Sequence, residues 1–137
     1  MQMVVDASVT ISWYLADEAT AATQLILQRL GESEAIAPVL WWFEVRNVLL
    51  MNERRGRLDP TQTASILAHL ARLPIALDRD PAGDAVLALA RAHRLTFYDA
   101  TYLELALRRA SPLATLDRRL AAAARAAAVP LLDEKPA

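Results

Sequence analysis

Short apolar runs alternate with longer stretches of helical period along this chain. Met3-Val4-Val5 is a predicted strand that stops at Asp6. A short helix is expected over Val9 to Leu15, and a longer one from Glu18 to Leu30, stopped by Gly31. Ala35-Ile36-Ala37 reads as a second strand, and Pro38 leads a helix to about Arg55, with Gly56 just past its end. Asp59-Pro60 opens another helix, which Pro74 breaks before the strand Ile75-Ala76-Leu77. Pro81 opens a helix that carries Ala82, Ala85, Val86, Leu89, Ala90 and His93 at helical spacing. Leu95-Thr96-Phe97 is expected as a very short extended piece, followed by a helix through Arg109. Leu113 to Leu116 reads as a strand, Asp117 starts the last helix, and Val129 to Leu132 is an expected edge strand. Strands that alternate with helices predict an α/β domain with a mainly parallel sheet covered on both faces. Right-handed crossovers then put the strand C-terminal ends on one edge, where open α/β sheets carry their sites.

Composition narrows the chemistry. The 137 residues suit one domain, taken as 1–132, with a polar tail at 133–137 that is expected to fray. Cysteine is absent and there are only two histidines, so thiolate chemistry and a multi-histidine zinc site are excluded. Lys135 is the only lysine, which removes a Walker A loop and a Schiff base from the body of the fold. The net charge of −1 is not the profile of a protein that holds nucleic acid by bulk charge. No apolar run is long enough to span a membrane and no signal peptide is visible, so a cytoplasmic protein is expected.

Four carboxylates interrupt or end apolar sequence. Asp6 and Asp117 close strands, Asp99 stands at the entry to a helix, and Glu44 lies within the apolar segment Val39 to Val48. The topology brings the three aspartates to one sheet edge. Two like charges about 4 Å apart repel by roughly 4 kcal/mol at an effective dielectric near 20. Crowded carboxylates therefore retain protons or bind a cation. All-oxygen donors favour Mg²⁺ or Mn²⁺, and such a centre suits phosphodiester hydrolysis. A plainer reading stands beside this one: an N-cap role explains Asp99 or Asp117 without chemistry, and Glu44 can pair with Arg46.

At these same residues the chain resembles the PIN-domain ribonucleases of the VapC toxin type. The matching segments are Val4-Val5-Asp6-Ala7-Ser8, Glu44 to Leu49, Tyr98-Asp99-Ala100-Thr101-Tyr102-Leu103 and Leu113 to Asp117. The resemblance covers nearly the whole chain. It implies a three-layer α/β/α, Rossmann-like fold and Mg²⁺- or Mn²⁺-dependent endoribonuclease activity. Asp6, Glu44, Asp99 and Asp117 would be the acidic set, with Asp6 and Asp99 as direct metal ligands and Glu44 and Asp117 completing the shell. Ser8 and Thr115 would steady the acids by hydrogen bonds, and Asn47, one turn after Glu44, would steady that side chain. The resemblance further implies an RNA substrate, a homodimer and a VapB-type antitoxin that inhibits the groove.

Arg118 and Arg119 follow Asp117 at a helix start, where the dipole disfavours cations, so a phosphate-binding or pairing role is expected of them. The adjacent Trp41 and Trp42 point in different directions, so one is a candidate for a dimer or antitoxin surface, and plain core packing of both stands beside that reading. Two rival classes remain. One is a receiver-like aspartate phosphoacceptor, which needs a lysine at a strand end that this chain lacks. The other is a catalytically silent PIN-like domain that only binds a partner, against which the intact acid set argues.

Overall fold

A computed structural model describes residues 2–132. Strands β1 (Gln2–Val5), β2 (Glu34–Pro38), β3 (Ile75–Asp78) and β4 (Leu113–Ala114) form one sheet in the order β3-β2-β1-β4, and all pairs are parallel. Among the described residues seven helices flank it: α1 (Ala7–Ser12), α2 (Ala21–Arg29), α3 (Val39–Arg54), α4 (Pro60–Leu70), α5 (Gly83–His93), α6 (Phe97–Arg108) and α7 (Arg118–Ala126). The expected α/β architecture with a parallel sheet is present.

Met3, Val4 and Val5, and likewise Ala35, Ile36 and Ala37, are all buried. Successive strand residues point to opposite faces, so both faces of β1 and β2 are covered. Helices α1, α3 and α4 pack together, as do α5, α6 and α7. The chain steps outward from β1 to β2 to β3, then returns past β1 to β4. Right-handed crossovers in opposite directions lie on opposite faces. The reversal between β1 and β4 leaves a crevice at the C-terminal ends of those two strands, which is where ligand sites form in such sheets.

Local chemistry sets the element ends. Thr20 and Thr23 cap each other's backbone N–H, so α2 starts at Ala21 and not at Glu18. Asp59 and Gln62 do the same ahead of Pro60. Gly56 takes φ 75 just past α3, in the region where glycine alone is unstrained.

Three further expectations are corrected. Leu95-Thr96-Phe97 is not extended: Arg94 ends α5, Thr96 caps α6 and Phe97 is already helical. Strand β4 has only two residues, because Thr115 leaves the ladder and gives its hydroxyl to Asp6. Val129 to Leu132 forms no strand, only an isolated parallel bridge between Leu113 and Leu131; Pro130 has no N–H to give to a ladder. The expected tail at 133–137 lies outside the described residues.

The tryptophans part as helix geometry requires, since adjacent residues point about 100° apart. Trp41 is buried and donates its indole N–H to Thr10 Oγ1 at 2.9 Å. Trp42 is exposed, with the Arg46 guanidinium 3.8 Å from its ring centre. Trp13 is also buried, its indole N–H on the Thr23 carbonyl.

Candidate active site

Asp6 follows directly on β1 and caps α1. Its Oδ1 accepts the Val9 N–H at 3.0 Å and the Ser8 hydroxyl at 2.7 Å, and its Oδ2 accepts the Thr115 hydroxyl. The same two hydroxyls accept in turn from the backbone: Leu116 N–H bonds Ser8 and Asp117 N–H bonds Thr115. Asp6 is thus the knot between the ends of β1 and β4. Burial pushes its carboxyl up to about 6 against these hydrogen bonds, and the charge of Glu44 adds to the rise.

Glu44 stands half-buried in the middle of α3. Its Oε1 accepts the hydroxyl of Tyr102 at 2.6 Å. Burial raises its carboxyl, the Tyr102 hydrogen bond opposes this, and the charge of Asp99 adds to it. Asp99 sits in the first turn of α6 but is not its cap, because Thr96 accepts the Asp99 N–H at 3.0 Å. Its carboxyl is raised by burial and then by the charge of Asp117, while Thr96 and Arg119 oppose the rise. Asp117 does cap α7, with Oδ1 on the Leu120 N–H at 2.9 Å. The cap reading therefore fits Asp117 and fails for Asp99.

All four acids line one cleft of about 550 Å³. They act on one another in sequence, Asp117 on Asp99, Asp99 on Glu44, and Glu44 on Asp6. Among the described residues, no three acidic or histidine side chains are gathered around a single ion-sized point. The reason is visible in the hydrogen bonds. Asp6 is turned to Ser8 and Thr115, Glu44 to Tyr102, and Asp117 to its own helix. The acids share a cleft and are not drawn into a closed cage.

Other expected site residues fall less centrally. Asn47 is exposed on α3 and does not line the cleft, and the hydrogen bond on Glu44 comes from Tyr102. Arg118 and Arg119 are exposed on α7 and also stand outside the cleft lining, although the charge of Arg119 reaches Asp99. Arg46 stacks on Trp42 and leaves Glu44 without an arginine.

Two polar lining residues were not singled out from sequence. Tyr102 lies three positions after Asp99, hence on the same face of α6, and that spacing was the available signal. Glu18 comes from the loop after α1, and no local pattern marks it.

A parallel sheet whose order reverses beside an acid-lined crevice defines a class of α/β proteins, and comparison with known proteins gives the family. The PIN domain model matches residues 3–126, so the chain belongs to the PIN-domain family. It is 32% identical over 124 residues to Ribonuclease VapC3 of Pyrobaculum aerophilum, spanning 88% of this chain and 93% of that protein. The solved structure of PAE2754 from Pyrobaculum aerophilum matches with a TM-score of 0.72 at 26% identity, over 90% of this chain and 84% of that one. FitAcB from Neisseria gonorrhoeae matches with a TM-score of 0.65 over 94% and 95% of the two chains; at 16% identity this likeness shows the fold alone.

Proposed function

We propose that this protein is a Mg²⁺- or Mn²⁺-dependent endoribonuclease, the toxin of a VapBC-type toxin–antitoxin pair. The observation that carries the reading is the convergence of Asp6, Glu44, Asp99 and Asp117, from four distant segments, on one cleft at the C-terminal edge of the sheet. The name of the relative Ribonuclease VapC3 supports the same reaction.

The donor set fits a hard divalent ion. Every donor is an oxygen, and burial and mutual repulsion raise three of the four carboxyls. None of the ion pairs among the described residues uses these acids. Asp6 and Asp99 would hold the ion directly, with Glu44 and Asp117 direct or through water. When bound, the ion supplies a polarised phosphate and a more acidic water.

The remaining work falls to the chain itself. Ser8 and Thr115 fix the Asp6 carboxylate by hydrogen bonds from two sides. Tyr102 occupies Oε1 of Glu44, so Oε2 is the oxygen left to take a proton from an attacking water. Arg118 and Arg119 would hold flanking phosphates. A VapB-type antitoxin and a second copy of the chain are the protein partners of this reading, in the cytoplasm. The exposed Trp42 and Phe43 offer apolar surface for such contacts.

Purified protein freed of any co-expressed partner is expected to cut RNA with Mg²⁺ or Mn²⁺ and to stop with EDTA. Asp6→Asn and Asp99→Asn are expected to abolish cutting with the fold intact by circular dichroism. Undiminished cutting by both variants removes the site assignment.

A further inference from the structure

A basic groove beside the acid cleft is not used by the catalytic set. Between the C-terminal end of α5 and the flank of α7, a groove of about 450 Å³ is lined by His93, Arg94, Arg119 and three alanines of α7. Resting on the ribonuclease reading, we propose that this groove is a phosphate subsite for the RNA backbone next to the bond that is cut, with Arg94 and Arg119 as its ligands.

Both arginines stand where local structure disfavours them. Arg94 is the residue that ends α5, with φ 54 and ψ 42, the left-handed conformation in which an L side chain is strained and glycine is the usual occupant. Arg119 is the second residue of α7, where the positive end of the helix dipole repels a cation. The dipole of α5 favours positive charge at its C-terminal end, but it does not require a side chain at the one position that glycine fills better. Two unfavourable placements that line the same groove point to a shared anionic ligand. None of the ion pairs among the described residues takes Arg94, Arg119 or His93. The alanines Ala122, Ala123 and Ala126 keep the α7 side of the groove low, so a chain of phosphates can lie against the helix.

Arg119 of the groove stands two residues after Asp117 of the cleft, so the two flank the first turn of α7. A phosphodiester carries one negative charge and two free oxygens, which matches the planar fork of a guanidinium. The net charge of the chain is −1, so bulk charge does not supply the attraction.

The test uses a fluorescein-labelled single-stranded oligoribonucleotide of mixed sequence, with Ca²⁺ in place of the catalytic ion, read by anisotropy across a salt series. Arg94→Gly and Arg119→Gln are each expected to weaken binding several-fold and to lower the salt slope by about 0.7 per lost phosphate contact. Arg94→Gly is expected to melt above the wild type, because glycine suits the left-handed position, and this separates lost binding from lost folding. Unchanged affinity and salt slope in both variants overturn the proposal. So does loss of antitoxin binding with RNA binding intact, which assigns the groove to the protein partner. A wild type that binds RNA here with the expected salt response but never cuts it with Mn²⁺ sinks the nuclease reading and leaves the subsite standing.

Discussion

Asp6 and Asp78 occupy matching places in the sheet and have opposite fates. Each closes a parallel strand, β1 and β3, and each is buried. Asp78 receives the Arg108 guanidinium on both oxygens, at 3.0 and 2.7 Å, and Arg109 stands 3.8 Å away. The same Arg108 also bonds buried Glu104 at 2.7 Å. The hydrogen bonds from Arg108 hold the Asp78 carboxyl below its ordinary range against burial. Asp6 has hydroxyls and a backbone N–H but no cation, and its carboxyl is pushed up to about 6. A buried acid that meets its arginine is part of the scaffold. A buried acid held by neutral donors beside other acids retains its appetite for a cation.

The largest expected effect tests the uncompensated side. Asp6→Asn and Asp99→Asn should each lower the RNA cleavage rate by about a thousandfold or more, an upper-range value for removing one preorganised charged group from a catalytic site. Single-turnover rates at saturating Mn²⁺ are the measurement. Next comes the compensated side: Arg108→Met strands Asp78 and Glu104 without their main counter-charge. A loss of about 3 kcal/mol is expected in urea unfolding, at the low end for a broken buried pair because Arg108 is partly exposed and Arg109 remains. Cleavage per folded molecule should be retained. Equal losses of activity in the arginine and aspartate variants would erase the contrast.

The pH dependence of stability distinguishes the two regions by sign. Asp6 has a folded value of about 6 against an ordinary 3.8, so the folded state binds the extra proton between those values. Metal-free protein should therefore gain stability as pH falls from about 7 to 4, by up to roughly 3 kcal/mol from this group. Asp78 is shifted the other way. Its contribution is present above the ordinary carboxyl value and is lost only as pH falls through its lowered one. Urea unfolding at pH 7 and pH 4.5, in wild type and Asp6→Asn, checks this; the variant should lose most of the rise. The smallest expected effect belongs to Tyr102→Phe. Loss of the hydroxyl on Glu44 should cost about tenfold in Mn²⁺ affinity or cleavage. The same change should be nearly silent in Glu44→Gln, since both act through one hydrogen bond.

Much of this was legible locally. The strands before Asp6 and Asp117, the helix behind Pro38, and the Asp59-Pro60 start all follow from apolar period and capping chemistry. The four acids of the cleft were visible as carboxylates set against apolar sequence. Other parts were not. Ile75-Ala76-Leu77-Asp78 has the same form as Val4-Val5-Asp6, yet nothing within either segment tells which aspartate meets an arginine. The shortness of β4 was hidden too, because Thr115 departs from the ladder only to reach a residue 109 positions away.

The chain alone determined the order of strands and helices and the helix starts behind Pro38, Asp59 and Asp117, because caps, prolines and apolar spacing act within a few residues. It also determined that hard oxygen donors were the only metal chemistry on offer. Strand order was decided by the assembled sheet. Only its reversal beside β1 brings Asp117 and Asp99 to Asp6 while Arg108 is carried to Asp78. Charge pairing depends on distance in space, and that distance is set by packing between segments far apart in the chain.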